Sequence, residues 1–182
     1  MDFDSDIKIA GSKPSGDIKK NKITENTSEE IVSHTDSLRA KKLGERVASK
    51  FCADNNDFSI ANDEFDSQMA LQRRILLSFT TSVALEQFCK SEAVAGIAQK
   101  SFIDSVSRLS GVLYDTSSDT GAFSFYFLAF RRGGDIERRI GQTFAMLCSH
   151  DGDPVYQELG EALYCWFSST VENLVEEFDL KK

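Results

Sequence analysis

Proline and glycine are scarce, with two and 11 respectively in 182 residues. Long elements can therefore run uninterrupted, which favours helices over a fold of short strands and tight turns. Histidine is scarcer still relative to what metal chemistry needs: only His34 and His150 occur. Helical di-iron and di-manganese sites use Glu-x-x-His pairs, but the positions three before these histidines hold Ile31 and Leu147. The zinc-protease pattern H-E-x-x-H, the nucleophile elbow G-x-S-x-G and a phosphate loop are all absent. The four cysteines, Cys52, Cys89, Cys148 and Cys165, form no C-x-x-C pair and have no zinc-like spacing. Cys89 follows Phe88, and Cys165 lies between Tyr164 and Trp166, so they read as small core residues in a reducing, cytoplasmic setting. There is no run of 18 apolar residues to span a membrane, and the acidic start MDFDSDIKIAGSKPSG does not resemble a signal peptide. No cofactor, no metal and no catalytic residue is indicated. The balance leans away from an enzyme, although a site built from distant Glu, Cys or Arg would escape a motif search.

Basic charge is also in deficit over most of the chain. Residues 1–50 carry ten Lys/Arg against nine Asp/Glu, whereas residues 51–182 carry 11 against 20. A body with a net charge of −9 repels phosphate backbones and anionic lipid at long range, so neither nucleic acid nor membrane is expected as a partner.

What is present is apolar and aromatic. Hydrophobic residues make up 41% of the chain, including 14 Phe. A folded part of about 140 residues buries roughly two thirds of its unfolded surface without disulfides or metal. Residues 1–26 hold few apolar side chains and read as a disordered tail before a helical domain over 27–182. A Thr27–Glu30 capping box would start a sparse, peripheral helix carrying Leu38, Gly44, Val47 and Phe51. Residues 53–62 read as a loop. A long helix over 64–90 has apolar residues on several faces and so calls for several neighbours. Ser91 caps a helix over 92–114, and residues 115–121 form a turn. The segment FSFYFLAF, 123–130, fits either period; with no polar face for a strand and no partner strand, helix is the better reading. Asp135 and Asp153–Pro154 open two more helices, the last with Val155, Leu159, Leu163, Trp166, Thr170, Leu174 and Phe178 as its apolar stripe and with a solvated, frayed end. The expected fold is all-α, a single compact bundle of about five to seven helices.

Three clusters are candidates for function. Cys148, His150, Asp151 and Asp153 are dense in ligand types, but a helix end and the next helix's cap explain each of them. Arg131, Arg132, Arg138 and Arg139 surround a helix N-terminus whose free N–H groups would suit an anion, although Asp135 and Glu137 compete for the same donors. Phe123, Phe127, Phe130 and Trp166 could line an apolar pocket or an interface, or simply fill the core. The favoured function is a non-enzymatic protein–protein interaction or regulatory module, partnered or self-associating. The alternative is a binder of a small apolar or amphipathic anionic ligand between helices. A helix-turn-helix around GGDIERRIGQTF ranks last, because its neighbours are aromatic and acidic rather than basic.

Overall fold

The computed structural model describes residues 32–56, 64–117 and 120–182. The expected tail and the Thr27 start lie outside these residues. Seven helices occur among the described residues: α1 (His34–Asn56), α2 (Glu64–Phe88), α3 (Glu92–Leu109), α4 (Gly111–Ser117), α5 (Thr120–Arg131), α6 (Ile136–Leu147) and α7 (Pro154–Glu177). There is no strand among them, and one isolated bridge pairs Cys89 with Lys181. The fold is the expected all-α bundle, and FSFYFLAF is helical.

Helix α2 is the centre. Ile75, Leu76, Leu77 and Phe79 of one turn are all fully buried, and only the Ser78 side of that turn is half-buried. Its Thr80 and Thr81 are also buried, each hydroxyl donating to the carbonyl four residues back, Leu76 and Leu77. A helix apolar over most of its circumference has to be covered on most sides, and all six other helices touch α2. One apolar cluster joins α1 and α3 to one side of α2 and to the end of α7. A second joins α5, α6 and the start of α7 to the other side.

Two helix pairs are held closer than ordinary side chains allow. Gly44 of α1 faces α3, where an added Cβ would strike the Ala98 carbonyl oxygen and lie 2.7 Å from Ser101 Cβ. The buried Ala40, Ala48, Ala95 and Ala98 keep the rest of this crossing shallow, and Ser101 Oγ donates to the Lys41 carbonyl at 2.7 Å. The first helix is thus not peripheral. Its glycine, which weakens an isolated helix, here allows backbone contact. Gly141 of α6 does the same against the Gln157 backbone of α7, and Gly160 of α7 lies against Phe144.

The caps largely follow the sequence. Ser91, Asp135 and Asp153 accept from Val94, Arg138 and Val155 N–H at 3.3, 3.1 and 2.9 Å. Gly133 and Gly134 take positive φ after α5, as its stop requires. Helices α6 and α7 both end in the six-to-one pattern: His150 N–H donates to Ala145 O and Leu180 N–H to Val175 O. Ser149 (φ 64°) and Asp179 (φ 56°) hold the left-handed position that glycine usually fills.

Several expectations are corrected. Helix α1 starts at His34, its cap being Ser33 Oγ, which accepts from Asp36 N–H at 3.0 Å. It then runs through 53–56, expected to be loop, because Arg73 Nη1 reaches both the Asp54 carbonyl and Asn55 Oδ1 at 2.9 Å and supports the last turn. The helix over 92–114 is two helices. Ser110 ends α3 by donating its N–H to Val106 O, and its hydroxyl caps the next turn at Leu113 N–H; this leaves Leu109 exposed. The turn shrinks accordingly, since 115–117 belong to α4 and 120–121 to α5. In α7 the buried stripe is Gly160, Tyr164, Phe167, Val171, Leu174 and Val175. The expected stripe lies largely to one side of it, with Val155, Leu159 and Trp166 exposed. Close contact at Gly160 selects the buried side, and a pattern built only on large apolar residues passes over a glycine.

Nor is the last helix frayed. Leu180 is fully buried, its carbonyl accepts from Lys90 N–H at 2.8 Å, and Lys182 N–H donates to the Phe88 carbonyl at 3.0 Å. Arg39–Asp179 and Lys90–Asp36 ion pairs, at 3.0 and 2.9 Å, tie the start of α1 to the same corner.

Two stability outcomes follow. Gly44→Ala forces α1 off α3 and lowers the unfolding free energy by about 2–3 kcal/mol in urea titration, as overpacking does; an unchanged midpoint would mean that the two helices are not in backbone contact. Ser149→Gly relieves a left-handed serine and raises stability by about 1 kcal/mol in the same assay.

Candidate functional site

Ser78, Ser82 and Glu86 recur at every fourth residue of α2, and they mark the side on which its surround is incomplete. A groove of about 780 Å³ opens there. Its floor is α2, through Phe79 and Val83 beside those three residues. One wall is the Gln99, Phe102, Ile103 and Val106 face of α3, and the other is the Phe123, Ser124, Phe127 and Leu128 face of α5. Tyr114 of α4 also lines it. Gln99 Nε2 donates to Ser82 Oγ at 3.1 Å and ties one wall to the floor. Phe79 anchors the other wall through an edge-on contact with Phe123, ring centroids 5.4 Å apart, and a stacked contact with Tyr126 at 5.6 Å. Four groove residues, Ile103, Tyr114, Phe127 and Leu128, are each between 37% and 56% exposed. Among the described residues, Glu86 is the single charged one in the lining.

The structure divides the four aromatic candidates. Phe123 and Phe127 share the groove. Phe130 packs edge-on to Phe79 at 6.1 Å and is half-buried. Trp166 stands apart on α7, exposed and tilted against Phe167. Sequence reasoning did not single out Ile103, Tyr114 or Leu128 as site residues. The legible signal was the serine seam of α2, a polar break in a helix that is otherwise apolar all round.

The four arginines do not converge. The Arg131 guanidinium lies 4.7 Å from the centre of the Phe127 ring, at the groove. Arg139 turns back and donates to the Gly133 carbonyl. Arg132 and Arg139 share a small cleft of about 210 Å³, into which Asp151 brings a carboxylate. The α6 N-terminus is capped by Asp135, which takes the donor that an anion would use.

At the α6–α7 connection, His150 stacks on Tyr156 with ring centroids 4.0 Å apart, while Cys148 is buried in the second apolar cluster. Among the described residues, no three His, Cys, Asp or Glu side chains lie together as a metal ion would need. Burial pushes the Cys89 thiol up to about 11 and the Cys148 thiol up to about 12. Burial, with Cys148 close by, also drives the Tyr126 phenol well above its usual value; its hydroxyl has no hydrogen-bond partner among the described residues. These groups behave as packing rather than as nucleophiles, since it is the thiolate that reacts.

No known family, curated protein or solved structure matches this chain. The groove and the surfaces beside it are therefore the guide to function.

The thiols give a pH dependence. Above about pH 9 the cysteines of the unfolded chain ionise, while Cys89 and Cys148 stay protonated in the fold. The unfolded state then binds fewer protons, so stability is full below about pH 9 and is lost as pH rises towards 12. Urea midpoints should fall between pH 8 and pH 10.5, values bracketing the free-thiol range. Ellman's reagent at the lower pH should reach Cys165 before the three buried thiols. Rapid labelling of Cys148 in the folded protein would contradict this.

Proposed function

We propose that this protein is a binding module, not a catalyst, and that the groove between α2, α3 and α5 receives an amphipathic helix from a partner protein. The observation that carries the reading is the shape of the groove. It is a gap in the ring of helices around α2, bounded by three helix faces. From Ser78 to Glu86 the floor runs about 12 Å, more than two turns of an α-helix. Apolar residues spaced three and four apart on a partner helix suit such a channel. The partly exposed Ile103, Tyr114, Phe127 and Leu128 would be covered by a helix seated among them.

A second reading rests on a specific observation. The groove's volume is within the range of small-molecule sites, and the Arg131 guanidinium over Phe127 places a cation beside it. An amphipathic ligand would lay its apolar part along Phe79, Phe102 and Phe123 and present a carboxylate or phosphate to Arg131.

The two readings separate in one experiment. The full chain and its Leu128→Asp and Arg131→Ala variants are isolated from the native cell, then analysed by native mass spectrometry and by gel. A polypeptide that is retained by the parent and by Arg131→Ala, and lost with Leu128→Asp, supports the first reading. A retained small molecule lost with both variants replaces it with the second. A parent protein that retains neither contradicts both.

A further inference from the structure

The outer face of α7 is a second apolar surface, separate from the groove. Val155, Leu159, Ala162 and Trp166 follow steps of four, three and four, the spacing of a two-helix seam. All four are exposed, Val155 at 68% and Trp166 at 44%. The run spans about 16 Å of helix. Ala162, in its middle, leaves room for a neighbouring backbone. Val155, Leu159 and Trp166 belong to the apolar stripe expected from the sequence, yet the fold packs α7 through the Gly160 side instead.

The charges beside the stripe say what suits it. Helix α7 holds five Glu and neither Lys nor Arg. Glu172 and Glu176 are paired with Lys181 near the C-terminal end. Glu158 borders the stripe and Glu161 lies further round α7 on the same side, towards α6; neither is in any of the ion pairs among the described residues. Beside Trp166, Cys165 is flanked by Glu161 and by Glu137 of α6, which add to burial in pushing its thiol up. The cations nearest to Glu137 in sequence are Arg138, which is exposed, and Arg139, which is turned to Gly133. A second copy of α7 laid against this face would bring more carboxylates and no cation, so self-pairing is disfavoured.

We infer that the outer face of α7 docks a partner helix whose apolar stripe is bordered by Lys or Arg. Leu, Ile or Val of that helix would interleave with Val155, Leu159 and Trp166, and its cations would meet Glu158 and Glu161. The inference is independent of the groove, since no groove residue belongs to α7.

Trp166 is the sole tryptophan of the chain and reports on this face directly. The probe is a synthetic three-heptad helix with Leu at the two seam positions and Lys at the flanking ones, with a twin carrying Glu there, each titrated into full-length protein. With the Lys helix, a saturable blue shift of Trp166 emission in the micromolar range is expected. Leu159→Asp and Val155→Asp should each weaken it at least about tenfold, with the helical circular dichroism unchanged. Glu158→Lys with Glu161→Lys should reverse the preference between the twins. An absent shift, equal binding of both twins, or a shift that follows protein concentration without peptide would overturn the proposal. So would binding lost with Phe127→Asp but kept with Leu159→Asp, which would seat the peptide in the groove.

Discussion

A helix that is apolar over most of its circumference has to be covered from water, and that constraint on α2 organises the molecule. In the turn containing Ile75, Leu76, Leu77 and Phe79, all four are fully buried, and only Ser78 faces outward, into the groove. The other helices are arranged to cover it, and its two buried threonines return their hydroxyls to their own helix. Glycine lets the covering helices pair tightly with one another: α1 meets α3 at Gly44, and α6 meets α7 at Gly141 and Gly160. The chain end closes the remaining corner. Leu180 fills the core and accepts from Lys90 N–H, while Lys182 N–H donates to the Phe88 carbonyl.

The cover is incomplete along Ser78, Ser82 and Glu86, where α3 and α5 stand apart. Helix α5 therefore has one side in the core, through Ala122, Tyr126 and Ala129, and another that leaves Phe125, Phe127 and Leu128 exposed. On the far side of the molecule's helix order, α7 uses its glycine face inward and leaves a second apolar stripe outward. The described residues thus present two exposed apolar surfaces, the groove and the outer face of α7, while three of the four thiols are buried.

Much of this was legible in the sequence. Residues with a local mechanism could be read directly: the caps at Ser91, Asp135 and Asp153, the stop at Gly133–Gly134, and the breadth of the α2 stripe. Failures arose where tertiary contact decides. Gly44 and Gly160 look like weaknesses until a neighbouring backbone arrives, and only the approach of α6 shows which of two adjacent stripes of α7 turns inward. Arg73 extends α1 through residues that read as loop, from 18 and 19 positions away. The candidate site was half visible. Phe123 and Phe127 were singled out, but Ile103 and Leu128 join them only through the packing of three helices. Trp166 was grouped with them by residue type alone, and the fold places it elsewhere.

Hydrogen exchange, followed by mass spectrometry on the full chain, tests the central claim most directly. If α2 is the enclosed centre and α5 is covered on one side only, amides over 75–85 exchange slowest, through global unfolding, and those over 123–130 exchange faster through a smaller opening. Equal protection of the two segments would contradict the account, because it would mean that α5 is held from both sides and that the groove is closed in solution.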